Sequence, residues 1–131
     1  MTDETLLFRQ INSSYIRKHP VDKTEEVLVG AFMPRVKRNE SNISVNDGDR
    51  ISAETALQNF NQLPGCKSKG VLGVTVGECT DLQLTPRDAP TNGNETHVEI
   101  DFPQNEQEQW ENIAEDLWRF ALQRTWLYRP E

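Results

Sequence analysis

The strongest constraint on this chain is a helical stripe near its C-terminus. Trp110, Ile113, Ala114, Leu117, Trp118, Ala121 and Leu122 recur at spacings of three and four. On a helix of 3.6 residues per turn they share one face, and two tryptophans on one face need a broad apolar surface to cover them. A β-sheet supplies such a surface. Asn105 with Glu108 three residues on predicts a capping-box start for this helix. Acidic residues crowd its first half while Arg119 and Arg124 lie near its end, which complements the helix dipole.

The rest of the chain supplies strands for that sheet. Residues 5–11 form a short apolar run, and VLVGAFM at 27–33 predicts a second strand stopped by Pro34. Ile43-Ser44-Val45 predicts a brief strand running into the turn chemistry of Asn46 to Asp49. GVLGVTVGEC at 70–79 is β-branched and punctuated by glycine, as expected of a central strand with another backbone packed close. Residues 97–102 alternate, with Val98, Ile100 and Phe102 on one side and His97, Glu99 and Asp101 on the other. Ser52 is a good N-cap for a short helix over about 53–62, whose apolar stripe is Ala53, Ala56, Leu57 and Phe60. Residues 19–26 and 35–38 read as loops, and 85–96, with two prolines and a glycine, as the longest one. The sum is an α+β fold in which a small, mostly antiparallel or mixed sheet of about five strands carries a short middle helix and a long C-terminal helix. At 131 residues the chain is expected to form a single domain, 1–131.

Charge narrows the function classes. The net charge is −7, and residues 65–131 hold 6 basic and 12 acidic side chains against 8 and 9 in residues 1–64. Such a surface repels phosphate backbones and attracts basic partners, so direct nucleic-acid binding is disfavoured. A solvated helix face explains the same charges without any partner. No apolar run is long enough for a membrane span, and MTDETLLFRQ lacks the pattern of a secretory signal, so a cytoplasmic protein is expected. Cys66 and Cys79 are too few and too widely spaced for a zinc or CxxC motif, and Glu78 would raise rather than lower the pKa of the Cys79 thiol.

The familiar catalytic signatures are absent, and two histidines, His19 and His97, do not suffice for a multi-histidine metal site. Asp47-Gly48-Asp49 lacks the later ligands of a calcium loop. No metal and no cofactor is expected. One polar set stands out: Arg9, Gln10, Ser44, His97, Glu99 and Asp101. On neighbouring strands, Arg9 could clamp a phosphate or carboxylate while His97 or Glu99 moves a proton. Equally, Arg9 could pair with Glu99 or Asp101 across the sheet with no activity. The terminal Trp126-Leu127-Tyr128-Arg129 either packs back on the sheet or docks a partner.

The blocks FRQI (8–11), GAFMP (30–34), ISVNDGDRIS (43–52), GVLGVTVGEC (70–79) and HVEIDF (97–102) resemble a family of small bacterial proteins with no settled function. The resemblance implies a bacterial stand-alone protein and no mechanism; the C-terminal helix and tail lie beyond the shared blocks. The leading expectation is a non-catalytic protein-binding module, such as an accessory, immunity or antitoxin-like component of a bacterial conflict or defence system. Its basic partner would meet Glu108, Glu111 and Glu115 on the helix and Trp126, Tyr128 and Arg129 on the tail. The alternatives are a small nucleotide-binding or toxin-type enzyme using Arg9 and His97 or Glu99, and an acidic mimic of DNA.

Overall fold

The structure is a computed structural model that describes residues 1–130. The chain begins with strand β1 (Leu6–Asn12), followed by a small hairpin of β2 (Ile16–Lys18) and β3 (Glu25–Val27). After two 3₁₀ turns come β4 (Asn42–Asp47), helix α1 (Ala53–Asn61), β5 (Ser68–Thr75), the short helix α2 (Val76–Asp81), β6 (Thr85–Asp88), β7 (His97–Asp101) and helix α3 (Trp110–Arg124). Five strands form one antiparallel sheet in the order β5-β1-β4-β7-β6. The α+β architecture with a short middle helix and a long C-terminal one is therefore as the periodicities predict.

One face of the sheet is apolar and the other mostly polar, as period-two alternation requires. Leu7, Ile11, Ile43, Val45, Leu72, Val74, Val98 and Ile100 are buried together with Phe32 and the α3 residues Trp110, Ala114, Leu117 and Ala121. Both core-facing indoles satisfy their N–H groups: Trp110 donates to Pro103 O at 2.7 Å and Trp118 to Val27 O at 2.8 Å. On the opposite face α1 covers only β1 and β5, packing Ala56 and Leu57 onto Phe8 and Val71. The β4-β7-β6 part of that face carries polar side chains.

Several local expectations are corrected. The 27–33 run is not a strand beyond Val27; Val29–Phe32 is a 3₁₀ turn that tucks Ala31 and Phe32 under α3. Burial decides here over β propensity, which chiefly reports fit to a pleated surface. The 70–79 run is neither central nor one strand. It ends at Thr75, where Thr75 Oγ1 accepts from Glu78 N and Glu78 Oε1 accepts from Thr75 N, a capping box that starts α2. Strand β5 lies at the sheet edge, and the chain's own tail closes it: Leu127 N donates to Val71 O at 2.9 Å and Val71 N to Tyr128 O at 2.8 Å. The close packing inferred from the glycines is real, because a Cβ on Gly70 would stand 2.7 Å from the Trp126 ring. The brief strand at 43–45 extends to Asn42–Asp47 and is the true centre of the sheet. Within the expected 85–96 loop, Thr85–Asp88 forms the other edge strand, where Pro86 needs no ladder donor. The Asn105–Glu108 capping box does not form; a 3₁₀ turn at Gln107–Gln109 leads into α3 without a side-chain cap.

Candidate ligand cleft between two strands

The sheet is split in its middle. Strands β1 and β4 pair only at Leu7 with Asp47 and Phe8 with Asn46. Beyond that vertex β1 continues its ladder with β5, and β4 continues with β7 as far as Asn42. A cleft of about 410 Å³ occupies the space between them, lined by both strands, Tyr15, the end of α1 at Phe60, and the Thr91–Asn94 turn. Its volume lies within the range of roughly 300–1,000 Å³ common for small-molecule sites.

Arg9 spans this opening. Its Nε donates to Ala31 O at 2.7 Å and its Nη1 to Ser44 O at 2.9 Å, so the guanidinium replaces backbone donors that a continuous β1-β4 ladder would have brought to Ser44. Both partners are neutral carbonyls, and Arg9 makes no ion pair among the described residues. Desolvation, with Arg35 adding repulsion, draws its pKa down to about 10 against weaker support from Tyr15 and Glu40. At neutral pH Arg9 thus remains a cation with its charge uncompensated. Arg35, also on the cleft, is neutralised by Glu40 at 2.8 Å.

Gln10 follows Arg9 on the cleft wall. Both atoms of its amide, Oε1 and Nε2, are buried, and neither has a hydrogen-bond partner among the described residues. An orphaned buried polar group costs about 1–3 kcal/mol. His97 lines the cleft from β7 and places Nδ1 2.7 Å from Ala89 O. A carbonyl only accepts, so Nδ1 carries the proton and, in the neutral ring, Nε2 keeps its lone pair.

Of the polar set read from the sequence, Arg9, Gln10, Ser44 and His97 meet on this cleft, whereas Glu99 and Asp101 do not line it. Those two carboxylates are held by Arg87 on β6: its Nη2 meets Glu99 Oε2 at 2.6 Å and its Nε meets Asp101 Oδ2 at 2.9 Å. The pairing of Arg9 with them is thus corrected. Strand β4 separates β1 from β7, and the carboxylates instead face Arg87, whose pKa they hold above its ordinary value. Asn42 adds a 3.0 Å hydrogen bond to Glu99.

The tail and acidic residues are placed as follows. Trp126, Tyr128 and Arg129 are half-buried on the β5 edge, with the Arg129 guanidinium 4.7 Å above the Trp126 ring and paired to Glu25 at 3.0 Å. Glu108 and Glu111 are exposed, and Glu115 pairs with Arg119 on the next turn of α3. No helix among the described residues is long and apolar enough to cross a membrane. Among the same residues no group of three or more His, Cys, Asp or Glu could hold a metal ion.

Cys79 is fully buried, and burial, then the neighbouring Glu78, pushes its thiol up to about 12. At pH 8 a maleimide should therefore label half-buried Cys66 at least about ten times faster than Cys79 in the native protein, as read by mass spectrometry of peptides. Because the folded pKa exceeds the unfolded value near 9, the Cys79 proton favours the native state fully below pH 9. That contribution falls as pH rises toward 12.

No protein-family model, curated protein or solved structure matches the chain.

Proposed function

We propose that the chain is a non-catalytic binding module whose β1-β4 cleft takes a small organic anion. The carrying observation is Arg9, a cation set across a cleft with only neutral carbonyls as partners. An anion there would gain a charge-assisted hydrogen bond, worth about 1.5–3 kcal/mol. Glu99 is engaged by Arg87, and the carboxylate that does line the cleft, Glu40, is engaged by Arg35, which supports binding over acid–base chemistry.

The experiment is a thermal-shift and calorimetric screen of carboxylates, phosphate esters and nucleotides against wild type, Arg9→Lys and Arg9→Met. A ligand at 100 times its Kd stabilises the native state by about 2.7 kcal/mol. Arg9→Met should weaken that ligand by roughly 10- to 100-fold, and Arg9→Lys by less, consistent with one charge-assisted bond. Silence across the panel, or equal binding by Arg9→Met, would overturn the proposal.

A bacterial accessory or antitoxin-like role through a protein partner has a separate support. Glu106, Glu108 and Glu111 are exposed and unpaired among the described residues, a surface suited to a basic protein. Charge reversal at Glu108 and Glu111 should reduce recovery of any stoichiometric partner from a bacterial lysate, and unchanged recovery would remove this support.

A further inference from the structure

Building on the anion-binding reading of the cleft, we infer that its ligand is a nucleotide with a single negative charge, of the cyclic phosphodiester type. The charge comes from the balance of groups on the cleft. Arg9 is uncompensated, while Arg35 is neutralised by Glu40 at 2.8 Å. One free positive charge matches one negative charge, and a polyphosphate would bring several more into a protein whose net charge is already −7.

The base comes from Gln10. Its Nε2 donor and Oε1 acceptor are buried side by side with no partner. A planar amide in that state is complementary to a nucleobase edge, where a donor and an acceptor are adjacent; glutamine reads adenine through N6 and N7 in this bidentate way. A carboxylate or a bare phosphate would satisfy the amide's donor and leave its acceptor orphaned. Phe8, Tyr15 and Phe60 line the same cleft and offer aromatic surface, and stacking on such surface tolerates any base. Ser44 and Asn46 on β4 add polar groups on the opposite wall, where a ribose would lie between base and phosphate.

The test is calorimetry on the wild-type protein with the four 3′,5′-cyclic mononucleotides, ATP, diethyl phosphate and acetate, repeated on Gln10→Met and Gln10→Leu. At least one cyclic mononucleotide should bind ten-fold or more tighter than ATP and than diethyl phosphate. Both Gln10 variants should lose that preference over diethyl phosphate while their thermal midpoints stay at or above wild type, because an orphaned amide has been removed. The comparison of ligands on wild type does not depend on the variants folding. ATP binding as tightly as the cyclic nucleotide overturns the single-charge assignment, and diethyl phosphate binding as tightly overturns the base. If acetate or diethyl phosphate binds in an Arg9-dependent way and no nucleotide binds better, this inference fails while the anion site stands. If none of the ligands binds, both fail.

Discussion

Truncation after Thr125 should lower the unfolding free energy by about 3 kcal/mol and the thermal midpoint by roughly 10 °C. The tail contributes the Trp126 ring over Gly70, the Leu127 side chain over Gly73 and two backbone hydrogen bonds to Val71. Fully burying a leucine is worth about 1.5–3 kcal/mol and a net hydrogen bond about 0.5–1.5, while releasing a few ordered residues returns conformational entropy. Half-burial of Trp126, Leu127 and Tyr128 keeps the sum moderate. Truncation also uncovers the edge of β5, an apolar strand whose ladder groups would then be open to pairing with a second molecule. Urea unfolding gives the first effect, and size-exclusion chromatography at increasing concentration gives the second. An unchanged urea midpoint would mean that the tail adds nothing to the fold and is free for a partner. Trp126→Ala would then belong in a binding assay, with an expected loss of at least about 1 kcal/mol if the tail is a docking element.

Gly48→Ala should destabilise by about 2–4 kcal/mol. Gly48 closes the vertex of the split sheet, where its N–H donates to Leu6 O at 2.7 Å. A Cβ at this position would stand 2.6 Å from that same carbonyl oxygen and 2.8 Å from the Phe8 ring. The oxygen is backbone and cannot rotate away, so β1 must shift, losing the hydrogen bond and disturbing the junction of β1 with β4. Chemical denaturation measures the cost. The same substitution at Gly65, which has φ +78° and open space around it, should cost only about 1 kcal/mol, from the left-handed backbone alone. Equal costs at the two positions would refute the steric account. Ligand affinity should fall in Gly48→Ala even where the protein remains folded, since the vertex sets the separation of the cleft walls.

Periodicity made α1, α3 and β7 legible, because each buries one face and the spacing of apolar residues records which. It failed where burial comes without a repeating surface, as at Val29–Phe32, whose apolar residues pack as a turn under α3. The break between β5 and α2 was written in the sequence as Thr75-x-x-Glu78, a capping box hidden inside a β-branched run. Arg87 lies between turn formers, which mask the short edge strand that Thr85-Pro86-Arg87 makes after buried Leu84. Arg9, Gln10, Ser44 and His97 could be named as a polar set from residue type, but their meeting could not. It depends on β1 and β4 parting after two pairs, a property of three-dimensional register that no single segment encodes.

The strand order also bears on when the molecule becomes competent. Strands β6 and β7 pair as neighbours in the chain, but β4 reaches them through Asn42–Asn46 across α1, β5 and α2, so that half of the sheet also closes a long loop. The other half needs β1 to find β5 and the tail to find Val71, contacts that close long loops. Long-range pairings of this kind slow folding. In the backbone ladder the two halves meet at Leu6–Phe8 and Asp47–Gly48. A molecule caught before that last encounter would show much of its final circular dichroism yet bind nothing, so recovery of binding after dilution from urea should lag behind recovery of secondary structure.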